Sequence, residues 1–495
     1  METSGNWLLA AAARNRVKAQ SRWNKVALIA AAAPPRPWTS LVLRGDEDSL
    51  EQPRRYRPGG FHPVRLDERL DDGRYRVLHK LGHGGFSTVW LCQDMRYHQQ
   101  ATEPRYVAVK ILRADAFSAS ESHSELLICN LFKGACMDDR RLTDEEADHI
   151  LLPLNWFYQM GPNGTHLCLV FPLMGPTLMD ARPDLVEKAK DAEGNDNARD
   201  MRVLLHQVAE GLATLHRHGI CHGDLRPSNV LLKLNPLDGM ETDELIDLLG
   251  EPETADVVLR HRDARQDRVF VPEIPPYLVY AACFDMDTNI VQTERHVCIA
   301  DFGQSFDTTT EPFTRWSGIP RPYSAPELVF GKAGGTAMDL WALGCLLFEA
   351  RMGAKIIEPA DVMAPNDDEY CISVCLLLGK LPEPWWTNWK ERDEHFEPAT
   401  GLPPHSPLVL RPRSAVKHGS AVAPPRSVRE AITSSCYRPV WERSRIDHYE
   451  KIQDIADEEA DLLADLIEKL LRYTPEDRIP AQSVVEHAWF RWTAK

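Results

Sequence analysis

Short apolar stretches begin near Tyr75. Tyr75–Leu81 and Thr88–Gln93 are separated by glycines, which predicts a β-hairpin. Tyr106–Leu112, with Val107-Ala108-Val109 at its centre, predicts another strand, and residues 120–133 carry apolar side chains at helical spacing. His166–Phe171 reads as a buried strand, residues 181–200 as an exposed charged loop, and Met201–His218 as a long amphipathic helix. Val230–Leu234 and Val297–Ala300 are strand-like. Residues 236–294 interrupt them, and an interruption that long in a compact domain is usually functional or disordered. From Asp339 to Lys495 the pattern is mainly helical, apart from a Pro-rich stretch around 398–425, and no repeat period is present.

Composition changes this picture mainly at the start. The 495 residues carry 57 Lys plus Arg against 73 Asp plus Glu, a formal charge of −16. Residues 1–60 hold ten basic and five acidic residues; removing their +5 leaves −21 on residues 61–495. That balance argues against a general nucleic-acid binder and suits basic partners. Arg14, Arg16, Lys18, Arg22 and Lys25 follow an apolar start, as in a mitochondrial transit peptide, although a disordered tail has the same composition. Pro34 to Gly60 reads as linker, so the expectation is a basic, disordered leader over 1–60. The apolar run Val26–Ala33 is too short for a membrane span. Eleven cysteines in this length read as reduced thiols.

Five clusters carry chemistry. In the first, Leu81-Gly82-His83-Gly84-Gly85-Phe86-Ser87-Thr88-Val89, glycines at 82 and 84 let backbone approach the phosphates of a nucleotide. Taken alone it is equally a plain hairpin turn. The second is Val107-Ala108-Val109-Lys110: a lysine ending an apolar strand wants an anion, and Glu125 in the next helix can supply one, leaving Lys110 to hold α- and β-phosphates. The alternative is a lysine snorkelling to the surface.

The third cluster is His222-Gly223-Asp224-Leu225-Arg226-Pro227-Ser228-Asn229. Here Asp224 can accept the proton of an attacking hydroxyl, Asn229 can offer an oxygen to Mg²⁺, and Arg226 adds positive charge near a transferred phosphoryl group. The fourth, Asp301-Phe302-Gly303, ends a strand with a second candidate Mg²⁺ ligand, Asp301. The fifth joins Ala325-Pro326-Glu327 to Asp339-Leu340-Trp341-Ala342-Leu343-Gly344; Glu327 needs a buried cation, and Arg478 is the candidate.

In this order, over residues 75–492, the clusters resemble the eukaryotic protein kinase domain. The resemblance implies an α+β, two-lobed protein kinase fold spanning 61–495. A small β-rich N-lobe and hinge would take 75–175 and a large helical C-lobe 176–495, with ATP and Mg²⁺ as cofactors. It places Leu81, Gly82, Gly84, Ser87, Val89, Ala108, Lys110 and Glu125 around the nucleotide, with Phe171 at the back of the adenine pocket. Pro172 to Met174 would form the hinge, and Leu231 part of the pocket floor.

Phe61-His62-Pro63-Val64-Arg65, Phe86-Ser87-Thr88-Val89-Trp90-Leu91, His166-Leu167-Cys168-Leu169-Val170-Phe171 and Leu378-Gly379-Lys380-Leu381-Pro382 look like the SR-protein kinase family, in its fungal type. So does the insertion at 236–294, where that family carries a spacer. The resemblance implies a serine/threonine kinase acting on basic, Arg/Ser-rich proteins such as splicing factors, in cytoplasm and nucleus, or in the mitochondrion if the leader is a transit peptide. It implies no direct nucleic-acid partner. Asp367, Asp368 and Glu369 can attract arginines, but acids at a helix start more simply match the helix dipole.

Some positions depart from the pattern: Gly223 stands where most kinases have Arg, Arg226 where most Ser/Thr kinases have Lys, Pro320 where they have Thr, and Ser324 where the wider group has Arg. Those at 226, 320 and 324 keep open a pseudokinase or scaffold. His222-Gly223-Asp224-Leu225 also resembles small-molecule phosphotransferases, a more remote reading.

Overall fold

The computed structural model of the protein describes residues 41–44, 49–97, 104–116, 124–133, 142–182, 197–260, 266–268, 271–282, 293–309, 318–358, 367–397, 427–442, 445–453 and 455–493. The expected leader up to residue 40, most of the expected loop at 181–200 and the Pro-rich stretch lie outside them. The chain divides into two compact units. One comprises residues 1–139, 152–175 and 234–294; the other comprises 140–151, 176–233 and 295–495.

The first unit is built on a six-stranded antiparallel sheet in the order Arg69–Leu70, Tyr75–His83, Ser87–Asp94, Tyr106–Leu112, Gly164–Pro172, Asn155–Gly161. Side chains alternate between its faces. One face buries Val77, Trp90, Cys92, Val107, Val109, Ile111, Cys168 and Val170 as a single apolar core. The opposite face is covered at one end by the helix Ser124–Lys133, whose Leu126 packs with Leu112, Leu167 and Leu169. At its other end the helix Thr242–Leu249 sets Leu245 and Leu249 against Leu78, Leu91 and Tyr106.

Residues 41–44 and 49–60 correct the expectation of a disordered leader. Leu41–Arg44 is a strand paired with Thr254–Arg260 of the insertion, which also pairs with Gln266–Arg268 and Tyr277–Val279. Leu43, Leu50, Tyr56 and Phe61 bury themselves against Ala255, Val257, Ile274 and Leu278. Much of the insertion is therefore ordered and shares a core with the N-terminal segment.

The reason for that order is a charge. Lys80, in the strand Tyr75–His83, is fully buried and paired with buried Glu51, which also accepts the Tyr56 hydroxyl at 2.5 Å. Burial lowers the pKa of Lys80, against the opposing pull of Glu51, and raises that of the Tyr56 phenol. Averaging charge over residues 1–60 hid this acid–aromatic pair.

The second unit is mainly helical. The helix Thr336–Met352 is buried from Met338 to Met352, so it forms a core element with no solvent face. Helices Asn197–Arg217 and Asp457–Leu470 pack on it. Buried Glu459 accepts from Arg351 Nε at 2.9 Å and from Arg202 at 3.1 Å, tying all three together.

Truncating Glu51 to Ala strands a buried ammonium, and about 3–5 kcal/mol of unfolding free energy should be lost. The double variant Glu51→Leu, Lys80→Met should recover most of that loss. Urea titration of both variants checks the pair; equal instability of the two would refute it.

Candidate active site

The strand register of the first unit sets Val89, Lys110 and Leu169 side by side, and next to them Leu91, Ala108 and Phe171. These positions share one sheet face, Leu169 lying under the helix Ser124–Lys133 and Leu91 under the helix Thr242–Leu249. Lys110 is paired with Glu125, which lies in the first helical turn where a negative charge suits the dipole. Lys110 is therefore not a snorkelling surface lysine: its side chain is only 12% exposed.

Gly82, Gly84 and Gly85 lie in or beside the hairpin turn, and a Cβ added at any of them would meet nothing within 4 Å. The chain's own packing does not demand glycine there. Open space over a glycine-rich turn is what close approach of a phosphate requires, so this surface fits the nucleotide that the sequence implies. Ser87 is buried, Leu81 half-buried, and Met174 buried near the end of this unit's middle segment, 152–175.

In the second unit, Asp224, Arg226, Asn229 and Asp301 belong to two loops joined by backbone, Ala300 N–H donating to Asn229 C=O at 2.8 Å. Asn229 Nδ2 donates to the Asp224 carbonyl at 2.8 Å and to Asp224 Oδ2 at 3.1 Å, which directs its Oδ1 away from Asp224. Arg226 Nε donates to the same Oδ2 at 3.3 Å. Asp224 Oδ1 is buried without a hydrogen-bond partner among the described residues. Burial raises the Asp224 pKa above its ordinary value, while Arg226, His222 and Asn229 pull it down.

Asp301 sits at φ 63°, ψ 70°, in the left-handed region that few non-glycine residues occupy, just before the turn Phe302–Gln304. It is exposed, and a carboxylate beside an amide oxygen is a donor set suited to Mg²⁺. Leu231 is half-buried in the strand Val230–Leu234, next to the catalytic loop.

The loop holding Asp224 is braced from the helix Thr336–Met352. Asp339 accepts from the N–H of His222 at 2.7 Å, from the N–H of Gly223 at 2.9 Å and from His216 Nε2 at 3.1 Å. Burial alone would raise the Asp339 pKa; the His216 bond and the other donors outweigh it and hold the carboxyl below its usual value. His222 Nδ1 accepts from Asp224 N–H at 3.2 Å, so its Nε2 donates to Ala300 C=O at 3.1 Å. Gly223 has φ 80°, and a Cβ there would lie 2.5 Å from the Gln304 carbonyl oxygen, which excludes the arginine common at this position.

The sequence named Asp339 only as part of a motif and gave it no role. Its signal was a carboxylate at the start of an otherwise apolar helix, which must find donors when buried. Glu327 meets Arg478 in a bidentate pair at 2.7 Å for each bond, as the sequence required. Asp367 is engaged by Arg321, and Asp368 accepts the Trp389 N–H at 2.8 Å, so these acids already serve the fold.

A model of the protein kinase domain matches residues 75–239 and 286–490, and the chain belongs to that family. It is a protein serine/threonine kinase of the SR-protein-kinase-like kind. The serine/threonine-protein kinase SRPK of Physarum polycephalum is 27% identical over 441 residues, covering 88% of this chain and 89% of the relative. The serine/threonine-protein kinase SKY1 of Saccharomyces cerevisiae is 34% identical over 196 residues, covering 39% of this chain and 24% of that protein. SRSF protein kinase 3 of Sus scrofa is 31% identical over 204 residues, covering 40% and 33%. A crystal structure of a kinase domain aligns with a TM-score of 0.52 at 16% identity, covering 87% of this chain and 98% of that one, a likeness of fold. No helix among the described residues is long and apolar enough to cross a membrane.

Because the folded pKa of Asp224 is raised, the acid limb of kcat/KM should lie above the ordinary aspartate value. Arg226→Gln removes a lowering influence, so the limb should move to higher pH. A pH–rate profile of both proteins checks this; a limb that stays in place in the variant would refute the coupling.

Proposed function

We propose that this kinase uses ATP with Mg²⁺ to phosphorylate serines in basic, Arg/Ser-rich proteins such as splicing factors, working in cytoplasm and nucleus. The observation that carries the reading is Asp224. One carboxylate oxygen is held by Arg226 and Asn229, while the other is buried and unpartnered among the described residues, set to accept a proton from a hydroxyl. The charge of −21 on residues 61–495 favours basic substrates, and the name SRSF protein kinase supports the substrate class.

Bound Mg-ATP would supply the phosphoryl group and the cations that neutralise its oxygens. Asn229 and Asp301 are the residues that would hold the metal. Lys110, fixed by Glu125, would orient phosphate oxygens, and the open turn at Gly82 to Gly85 would cover them. Asp224 orients the serine hydroxyl and takes its proton, with Arg226 keeping the carboxylate ionised.

A second reading, a pseudokinase that binds nucleotide without transfer, is favoured by the same unpartnered oxygen. The threonine that usually bonds this aspartate is Pro320 here, a residue without a hydroxyl.

Labelled ATP, Mg²⁺ and a panel of Arg/Ser, Lys/Ser and acidic peptides separate the readings. The Arg/Ser peptide should be phosphorylated most efficiently. Lys110→Met and Asp224→Asn should each lose about 10²–10⁴-fold in kcat. Nucleotide binding with no transfer to any peptide would establish the pseudokinase instead. Pro320→Thr restores a hydroxyl and should raise kcat by about severalfold; a fall or no change would count against Asp224 Oδ1 as the oxygen left wanting a donor.

A further inference from the structure

The turn after Gly84 is held by contacts that the family motif does not contain. Gly84 N–H donates to Ser87 C=O at 2.9 Å and closes the turn. The Gly85 carbonyl, exposed at its tip, accepts from two guanidinium groups: Arg55 at 3.1 Å and Arg113 at 3.3 Å. Arg113 follows the strand that carries Lys110; its own N–H donates to Phe86 C=O at 2.9 Å, and its guanidinium lies 5.8 Å from the Phe86 ring centroid. Asp115 holds that guanidinium through two bonds of 3.0 and 2.6 Å.

Arg55 comes from the N-terminal segment. It lies over the Phe61 ring at 5.8 Å, and its carbonyl accepts the Phe61 N–H at 3.0 Å. Its neighbour Tyr56 is anchored through Glu51 to Lys80, in the first strand of the same hairpin. The segment is thus tied to the hairpin both at the strand and at the turn.

The geometry of the peptide unit gives these contacts a consequence. The Gly85–Phe86 bond is trans, and in a planar trans peptide the C=O and the next N–H point to opposite sides. Holding the Gly85 oxygen on the arginine side therefore aims the Phe86 N–H the other way. Neither that N–H nor the Gly85 N–H has a hydrogen-bond partner among the described residues. Free backbone N–H groups in a glycine-rich turn are the donors that phosphate oxygens accept from.

We propose that Arg55 is a positioning residue for nucleotide binding: with Arg113 it clasps the Gly85 carbonyl and so presets the Phe86 N–H toward the phosphates. The proposal rests on the nucleotide reading above and adds a residue from outside the matched kinase domain to it. Without Arg55 the turn keeps one guanidinium and samples more orientations before nucleotide binds, which lowers affinity without touching the transfer step.

The test uses the full chain with Arg55→Ala, Arg55→Lys, Arg113→Ala and the control Arg54→Ala, whose side chain bonds only Gln52 among the described residues. Mg-ATP binding is measured by calorimetry, and KM for ATP, KM for an Arg/Ser peptide and kcat by steady-state kinetics. Arg55→Ala and Arg113→Ala should each weaken ATP binding and raise its KM roughly three- to tenfold, with kcat and peptide KM changed less than about twofold. Arg55→Lys, which keeps charge and a donor, should recover part of the loss, and Arg54→Ala should match wild type. Melting of the nucleotide-free proteins should agree within about 2 °C, which separates positioning from loss of fold. Wild-type binding with an unchanged Arg55→Ala would overturn the clasp alone. Absence of Mg-ATP binding by wild type would overturn the nucleotide reading and the clasp together. A fall in melting temperature with no change in ATP affinity would mark Arg55 as structural and overturn the proposal.

Discussion

A carboxylate buried at the head of a largely apolar helix cannot stay ionised unless donors surround it, and Asp339 recruits them from the loop that carries Asp224. Two successive backbone N–H groups, of His222 and Gly223, turn toward it. That turn forces Gly223 to φ 80° and brings it against the Gln304 carbonyl, so the position tolerates no side chain. Asp224 follows at once, and its direction is inherited from this arrangement. The loop's departure from the common arginine is therefore a packing consequence of how tightly it is drawn onto the segment after Asp301.

The first unit solves a different problem. A lysine must present its charge on an apolar sheet face, and the face must stay uncovered beside it. Helix Ser124–Lys133 supplies the counter-charge and shields one end; the insertion helix Thr242–Leu249 shields the other. Val89, Ala108 and Phe171 remain in the band between. Each unit thus carries its own set of these side chains, assembled from local contacts.

Much of this was legible because the motifs are dictated by chemistry rather than by packing. The hairpin, the strand carrying Lys110 and the strand before Asp301 formed where alternation predicted them, and the Glu327–Arg478 pair followed from the cost of burying a lone carboxylate. The order in residues 41–44 and 49–60 was missed although the same reasoning applied. Lys80 lies in an apolar strand and needs an anion as much as Lys110 does. Its partner stands 29 positions upstream in a segment whose overall composition reads as linker, and long-range pairing leaves no local periodic mark. The strands of the insertion left no mark for the same reason: they pair with a distant segment.

That pairing has a bearing on how the chain comes to be folded. Leu41 meets Leu259 and Arg44 meets Asp256, so the earliest described strand joins a partner translated about two hundred residues later. At about 5–20 residues per second, the wait lasts on the order of 10–40 s. For most of that interval Glu51 and Lys80 are both present, but Ala255, Val257, Ile274 and Leu278, which complete the neighbouring core, are not. A nascent chain would therefore carry an open strand edge and a half-built core until the insertion has been made, the kind of surface that chaperones bind.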